Sequence, residues 1–175
     1  MSAFDPKHLK ETFDKFGKYV VQQSRANLTK KKKNVSKTLY DSIQYDFKES
    51  KSGASFSFDF SMEDYGEFQD KGVSGIKKKY NTPYSYKSKM PPRGPLDKWA
   101  VRKGLQGVRD DKGRFISRKS LVYLIQRKLY YKGIEPSYFF SRAFNLGFKR
   151  LPTEVREAFR LDVQDFMKFT LKNIF

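Results

Sequence analysis

Cysteine is absent from the 175 residues, which excludes disulfides, thiolate catalysis and zinc sites built on cysteine. Histidine occurs once, at His8 in the expected first turn of a helix. That leaves no histidine pair for a metal, and a solvated surface position is expected for the ring. No apolar run approaches the ~20 residues of a membrane span. The opening MSAFDPKHLKETFDKF also has charges where a signal peptide needs its apolar stretch, so a soluble chain made in the cytoplasm, with no membrane contact, is expected. Acids are scarce too: 19 Asp plus Glu stand against 37 Lys plus Arg, for a net charge of +18. A charge of that size points to an anionic partner: nucleic acid, an acidic protein surface or an anionic membrane.

What is present is aromatic. Seventeen Phe and eleven Tyr supply too much apolar surface for a disordered chain, and the length suits about one domain. The charge is unevenly spread. Residues 75 to 132 hold 17 basic and 3 acidic side chains, a local +14, and TKKKKNVSK at 29 to 37 adds +5, so the remainder sums to −1. A nearly neutral scaffold carrying two basic segments follows.

Asp5-Pro6 reads as an N-cap with proline at the first helical position. Leu9, Phe13, Phe16 and Val20 then form one stripe of a helix running to about Leu28. Ile43, Tyr45 and Phe47 alternate along one strand, and Phe56, Phe58, Phe60 and Met62 along a second, with SKSG between them as a hairpin turn. Ser57, Asp59 and Ser61 interleave the second set, which favours a core face over a platform for stacking bases. Residues 76 to 96 lack a period and contain Pro83, Pro91, Pro92 and Pro95, the signature of an extended arm. Beyond it come a short helix with Leu96, Trp99 and Ala100 on one face and a turn at Asp111, Lys112 and Gly113. A helix capped by Ser117 and lined by Leu121, Leu124, Ile125 and Leu129 then stops at Gly133. Val155, Phe159, Val163, Phe166 and Thr170 keep helical spacing in the last segment. The core is expected to hold Leu9, Phe13, Phe16, Val20, Leu39, Ile43, Phe58, Phe159, Val163 and Phe166.

Two chemical sites suggest themselves. Glu63, Asp64, Glu67 and Asp70 are carboxylates of the kind that a glycosidase or magnesium nuclease pairs, but their crowding on one short turn argues for a solvated acidic turn and against an enzyme. No catalytic group, metal ligand or cofactor site is expected. Lys77, Lys78, Lys79, Lys87, Lys89 and Arg93, interleaved with Tyr80, Tyr84 and Tyr86, mix cations and ring faces as single-strand binders do, so a basic nucleic-acid-binding protein is one reading. A basic arm lying on an acidic neighbouring subunit would have the same composition.

The order of the pieces resembles the neck and tail-completion proteins of tailed bacteriophages. In that family a "Leu-x-x-Ser-Ile" segment opens the sheet, a "Tyr-x-x-(aromatic)-(acidic)-x-Gly" turn follows the hairpin, and a "Pro-x-Phe-(aromatic)" segment leads to the last helix. Leu39, Ser42 and Ile43 match the first; Tyr65, Phe68, Asp70 and Gly72 the second; Pro136, Phe139, Phe140 and Ala143 the third. Residues 75 to 132 interrupt the pattern as a basic insertion. The resemblance implies an α+β fold, a small antiparallel sheet packed by N- and C-terminal helices. Residues 1–74 and 133–175 would be the core, and 75–132 a partly helical basic arm. It further implies a structural virion protein of the neck or tail, forming a ring of six-fold or twelve-fold symmetry against portal, adaptor or tail proteins, with DNA as a possible contact. On this reading Gly66 and Gly72 allow a tight turn, Tyr65 and Phe68 anchor it to the core, and Glu67, Asp70 and Lys71 face outward.

Overall fold

A computed structural model describes residues 6–33, 35–50, 55–105 and 107–172. The fold is α+β. Its elements are α1 (Lys7–Lys30), α2 (Thr38–Ser42), β1 (Gln44–Glu49), β2 (Phe56–Ser61), α3 (Tyr65–Lys71), β3 (Val73–Ser74), α4 (Arg93–Arg102), α5 (Arg118–Lys132), β4 (Gly133–Ile134) and α6 (Ser141–Lys172). Two antiparallel pairs, β1 with β2 and β3 with β4, make two separate two-stranded sheets. Of the expected SKSG turn, residues 51–53 lie outside the described residues, as does Asp5.

The chain packs as two compact units. The first comprises Met1–Leu28, Asp41–Met62 and Phe139–Phe175, and the second Thr29–Tyr40 and Glu63–Tyr138. The expected boundaries at 74/75 and 132/133 therefore shift outward, because α3, β3 and β4 pack with the insertion, and the lysine run after α1 joins it.

In the first unit, β1 and β2 alternate as their sequences require. Tyr45 faces Phe60 and Phe47 faces Phe58 across the ladder, all on one half-buried side, while Asp46 and Asp59 share the exposed side. A two-stranded hairpin is marginal in water until its apolar face is covered. Helix α1 covers it: Phe13 stacks on Phe47 at 5.4 Å, and Phe16 lies 5.5 Å from Phe58. Phe16, Val20 and Leu151 form the centre, with Phe13, Tyr19, Phe58, Phe60, Phe140, Phe144 and Val155 packed around them. The sheet aromatics are thus core and not a stacking platform. Gly17 permits the close approach of helix and hairpin, since a Cβ there would sit 2.6 Å from Phe58 Cζ.

Helix α6 turns a different face inward from the expected one. Ala143, Gly147, Leu151, Ala158 and Asp162 are buried, whereas Phe159 is 52% exposed and Val163 and Phe166 are half-buried. A polar tie sets that rotation. The Asp162 carboxylate accepts hydrogen bonds from the N–H groups of His8 (2.8 Å) and Leu9 (3.0 Å), two orphan donors at the start of α1. With Asp162 held inward, Phe159 lies 60° away around the helix, at the edge of the buried stripe. His8 is not simply solvated, because its Nε2 lies 3.2 Å from Asp165 Oδ2. The helix continues through Pro152, which has no N–H to offer Phe148.

Phe16→Ala should destabilise the protein by about 3 to 5 kcal/mol, the usual cost of truncating a buried Phe. Urea unfolding measures this, and a loss under about 1 kcal/mol would contradict the packing. A second expectation concerns Tyr45, whose hydroxyl donates to Asp14 Oδ1 at 2.6 Å. Burial first, and Asp14 second, push its phenol up to about 12 from an ordinary 10.0. The folded state holds that proton more tightly than the unfolded chain, so the stabilisation is complete below pH 10 and disappears as pH rises through about 12. Phenolate absorbance of the native protein minus that of Tyr45→Phe should show one tyrosine ionising late; ionisation near 10 would contradict it.

Candidate functional site

The second unit is closed where the insertion begins and ends. Val73 pairs with Ile134 and Ser74 with Gly133. Gly72 ends α3 at φ 76°, and a Cβ there would meet Ile134 O at 2.6 Å and Pro136 N at 2.7 Å, so glycine is needed for both conformation and space. Just before it, the Asp70 carbonyl accepts from the N–H groups of Ser137 (3.0 Å) and Tyr138 (2.9 Å). Tyr65 reaches the other way: its hydroxyl is hydrogen-bonded to Ser36 and the Leu39 backbone, while desolvation is the main cause that raises its phenol. Segments around Leu39, Tyr65–Gly72 and Pro136, remote in sequence, therefore meet in one unit.

The acidic turn is a helix. Gly66 is a buried residue of α3 without a positive φ, and its N–H donates to Glu63 O at 2.7 Å in the turn that opens the helix. Asp70 is 4% exposed and does not face outward, while Tyr65 and Phe68 are 44% and 42% exposed and do not anchor into a core. Phe68 instead meets the Tyr84 ring edge-on at 4.7 Å. Glu67 pairs with Lys71 at 2.7 Å, and Lys71 first, then Tyr84, hold its carboxyl below the usual range. Glu63 and Asp64 are exposed. Among the described residues, no group of three or more His, Asp or Glu side chains converges as a metal site would require, and no helix is long and apolar enough to cross a membrane.

The arm is folded back and not extended. Ser74 holds it: its N–H donates to Tyr84 O (2.8 Å), its C=O accepts from Tyr86 N–H (2.9 Å), and its hydroxyl accepts from Tyr80 N–H (3.0 Å). Ile76 N–H donates to Tyr130 O, and Lys77 and Lys78 N–H both donate to Tyr131 O. Thr82 Oγ1 donates to Gly72 O at 2.9 Å. The rings of the arm are engaged. Tyr80, Tyr84 and Tyr86 are half-buried; Tyr86 lies 6.4 Å from Tyr130, and burial raises its phenol. Arg93 opens α4, donates to Gln126 Oε1 at 3.2 Å and covers the Tyr123 ring at 5.7 Å. The Lys87 carbonyl accepts from the Tyr130 hydroxyl, and the side chains of Lys77, Lys78, Lys79, Lys87 and Lys89 are exposed.

Helix α5 begins as expected, with Ser117 accepting from Ser120 N–H, but buries Val122 and Gln126 and leaves Leu124 48% exposed. Gln126 fixes that rotation by donating to Pro91 O at 2.6 Å. Its companions Arg127, Tyr130 and Tyr131 escaped the sequence reading; an entirely acid-free α5 was the available signal.

Electrostatically the unit stands out. It holds 23 basic and 8 acidic residues, +15 of the total +18. Both basic segments fall in it, and Lys33 feels Glu135, which opposes the desolvation that lowers its ammonium. Among the described residues, ion pairs engage Lys71, Arg114 and Arg118 of these cations. Fold and site together define an α+β protein that carries a separately packed basic unit. Compared with protein-family models, curated proteins and solved structures, the chain matches none.

Gly72→Ala should destabilise the protein by about 1 to 3 kcal/mol, from overpacking against Ile134 and Pro136 together with the positive φ. Denaturant unfolding with an intact β1–β2 aromatic core as reference measures it; an unchanged midpoint would mean that the closure is looser than described.

Proposed function

We propose that this protein is a structural component of the neck or tail of a tailed bacteriophage particle, made in the host cytoplasm and assembled as a ring of identical copies against portal, adaptor or tail proteins. It performs no catalysis. The observation that carries the reading is the closure at β3–β4. Residues 75–132 leave from Ser74 and return at Gly133, its ladder partner. A segment whose ends lie side by side can be inserted into a smaller fold without disturbing it. The three family-like segments contact one another around that closure, through Leu39 with Tyr65 and Asp70 with Ser137. The hairpin covered by α1 and α6 supplies a rigid unit for a repeating assembly. Against an enzyme, Glu67 is paired and Asp70 buried, so the four clustered acids do not converge on a common point.

Native mass spectrometry and negative-stain microscopy of the purified protein should show closed rings of one size. A protein that stays monomeric, alone and with phage portal or tail-tube proteins, would refute the reading.

A further inference from the structure

Six cations lie on two adjoining elements, the last turns of α5 and the loop bonded to them. Arg127, Lys128 and Lys132 come from the helix, Lys77, Lys78 and Lys79 from the loop, and all six are exposed. Main-chain hydrogen bonds hold the two elements together: Lys77 N–H to Tyr131 O at 2.9 Å, Lys78 N–H to the same oxygen at 3.2 Å, and Ile76 N–H to Tyr130 O at 3.0 Å. The Lys77 ammonium and the Arg127 guanidinium both lie over the Tyr131 ring, at 5.3 and 5.8 Å. None of the six is in an ion pair among the described residues, where the unit's pairs engage Lys71, Arg114 and Arg118. The negative end of the α5 dipole offsets part of their repulsion, but only within its last turn. The rest awaits a polyanion.

The neighbouring groups say which one. Single-strand binders offer free ring faces to bases, and here Tyr131 lies under two cations while Tyr86 and Tyr130 face each other half-buried. Base-edge reading of adenine needs an exposed amide, and the amide of α5, Gln126, is buried and bonded to Pro91 and Arg93; the Arg127 guanidinium is drawn over the Tyr131 ring. What remains is sequence-independent neutralisation of a regular phosphate array, and duplex DNA presents one charge per about 1.7 Å of axis.

We infer that the cluster of Lys77, Lys78, Lys79, Arg127, Lys128 and Lys132 is a contact site for the phosphate backbone of double-stranded DNA. This goes beyond the ring reading and is independent of it: a monomer that bound duplex would keep the inference, and a ring that ignored duplex would lose it.

Fluorescence anisotropy with a short labelled duplex of mixed sequence, the corresponding single strand, and polyglutamate tests it on the full chain. Duplex should bind more tightly than the other two, with affinity falling steeply as salt rises. Replacing Lys77, Lys78, Lys79 and Arg127 by Gln keeps every main-chain bond. It should weaken duplex binding at least tenfold and reduce the slope of log affinity against log salt by about 3 to 4. Should that variant fail to fold by circular dichroism, Lys128→Gln with Lys132→Gln, which keeps the main-chain bonds to the loop, should reduce the slope by about 2. No duplex binding, equal or tighter binding of polyglutamate or single strand, or an unchanged salt slope in a folded variant overturns the inference; the polyglutamate result would mark an acidic protein as the partner.

Discussion

Closure of a long chain segment by four residues is the constraint on which the basic unit depends. Holding the ends of the 58 residues from Gly75 to Lys132 together costs about 3.6 kcal/mol of chain entropy in its length-dependent part alone. A ladder of two residues, at about 0.5 to 1.5 kcal/mol per hydrogen bond, barely matches that. The closure therefore has to be reinforced from within, and it is. Thr82 donates to Gly72 and the start of the loop donates to the end of α5, while Ser137 and Tyr138, just outside the segment, brace the closure by donating to Asp70. The internal bonds shorten the length of chain left free, so the unit behaves as smaller nested loops and not as one large one.

That nesting explains why the arm looked extended in sequence. Prolines and a missing period do exclude a helix or strand over most of residues 76 to 92, and none forms there. Order comes instead from a serine hydroxyl, a threonine hydroxyl and main-chain groups, which leave no periodic trace in the side chains. The hairpin was the opposite case. Its period of two appears directly in Tyr45, Phe47, Phe56, Phe58 and Phe60, and the matching stripe of α1 predicted what would cover it.

Helix rotation was the part least legible locally. Apolar spacing placed Phe159 and Leu124 inward, but both helices are turned by one buried polar side chain, Asp162 in α6 and Gln126 in α5, whose partners lie 153 and 35 residues away. An orphan N–H at a helix start, or a proline carbonyl in a loop, can dictate which side of a helix faces in because leaving it unpaired would cost about 1 to 3 kcal/mol. Hydrophobic counting does not contain that term. The site was half legible for a related reason. The two basic stretches were plain in the sequence, while their membership of one compact unit depends on the fold.

The charge then acts on the unit in two opposing ways. With +15 in the second unit and only +3 left for the first, repulsion is concentrated in the part of the molecule whose architecture rests on loops and short ladders. Salt relieves that repulsion, because exposed charges further apart than about 8 Å are largely screened at physiological ionic strength. The same screening weakens any contact that exposed Lys and Arg make with an anionic surface. Conditions that favour the folded unit are thus those that loosen its hold on a partner. A densely charged partner removes the conflict: it neutralises the cluster locally, stabilising the unit and the contact through the same cations.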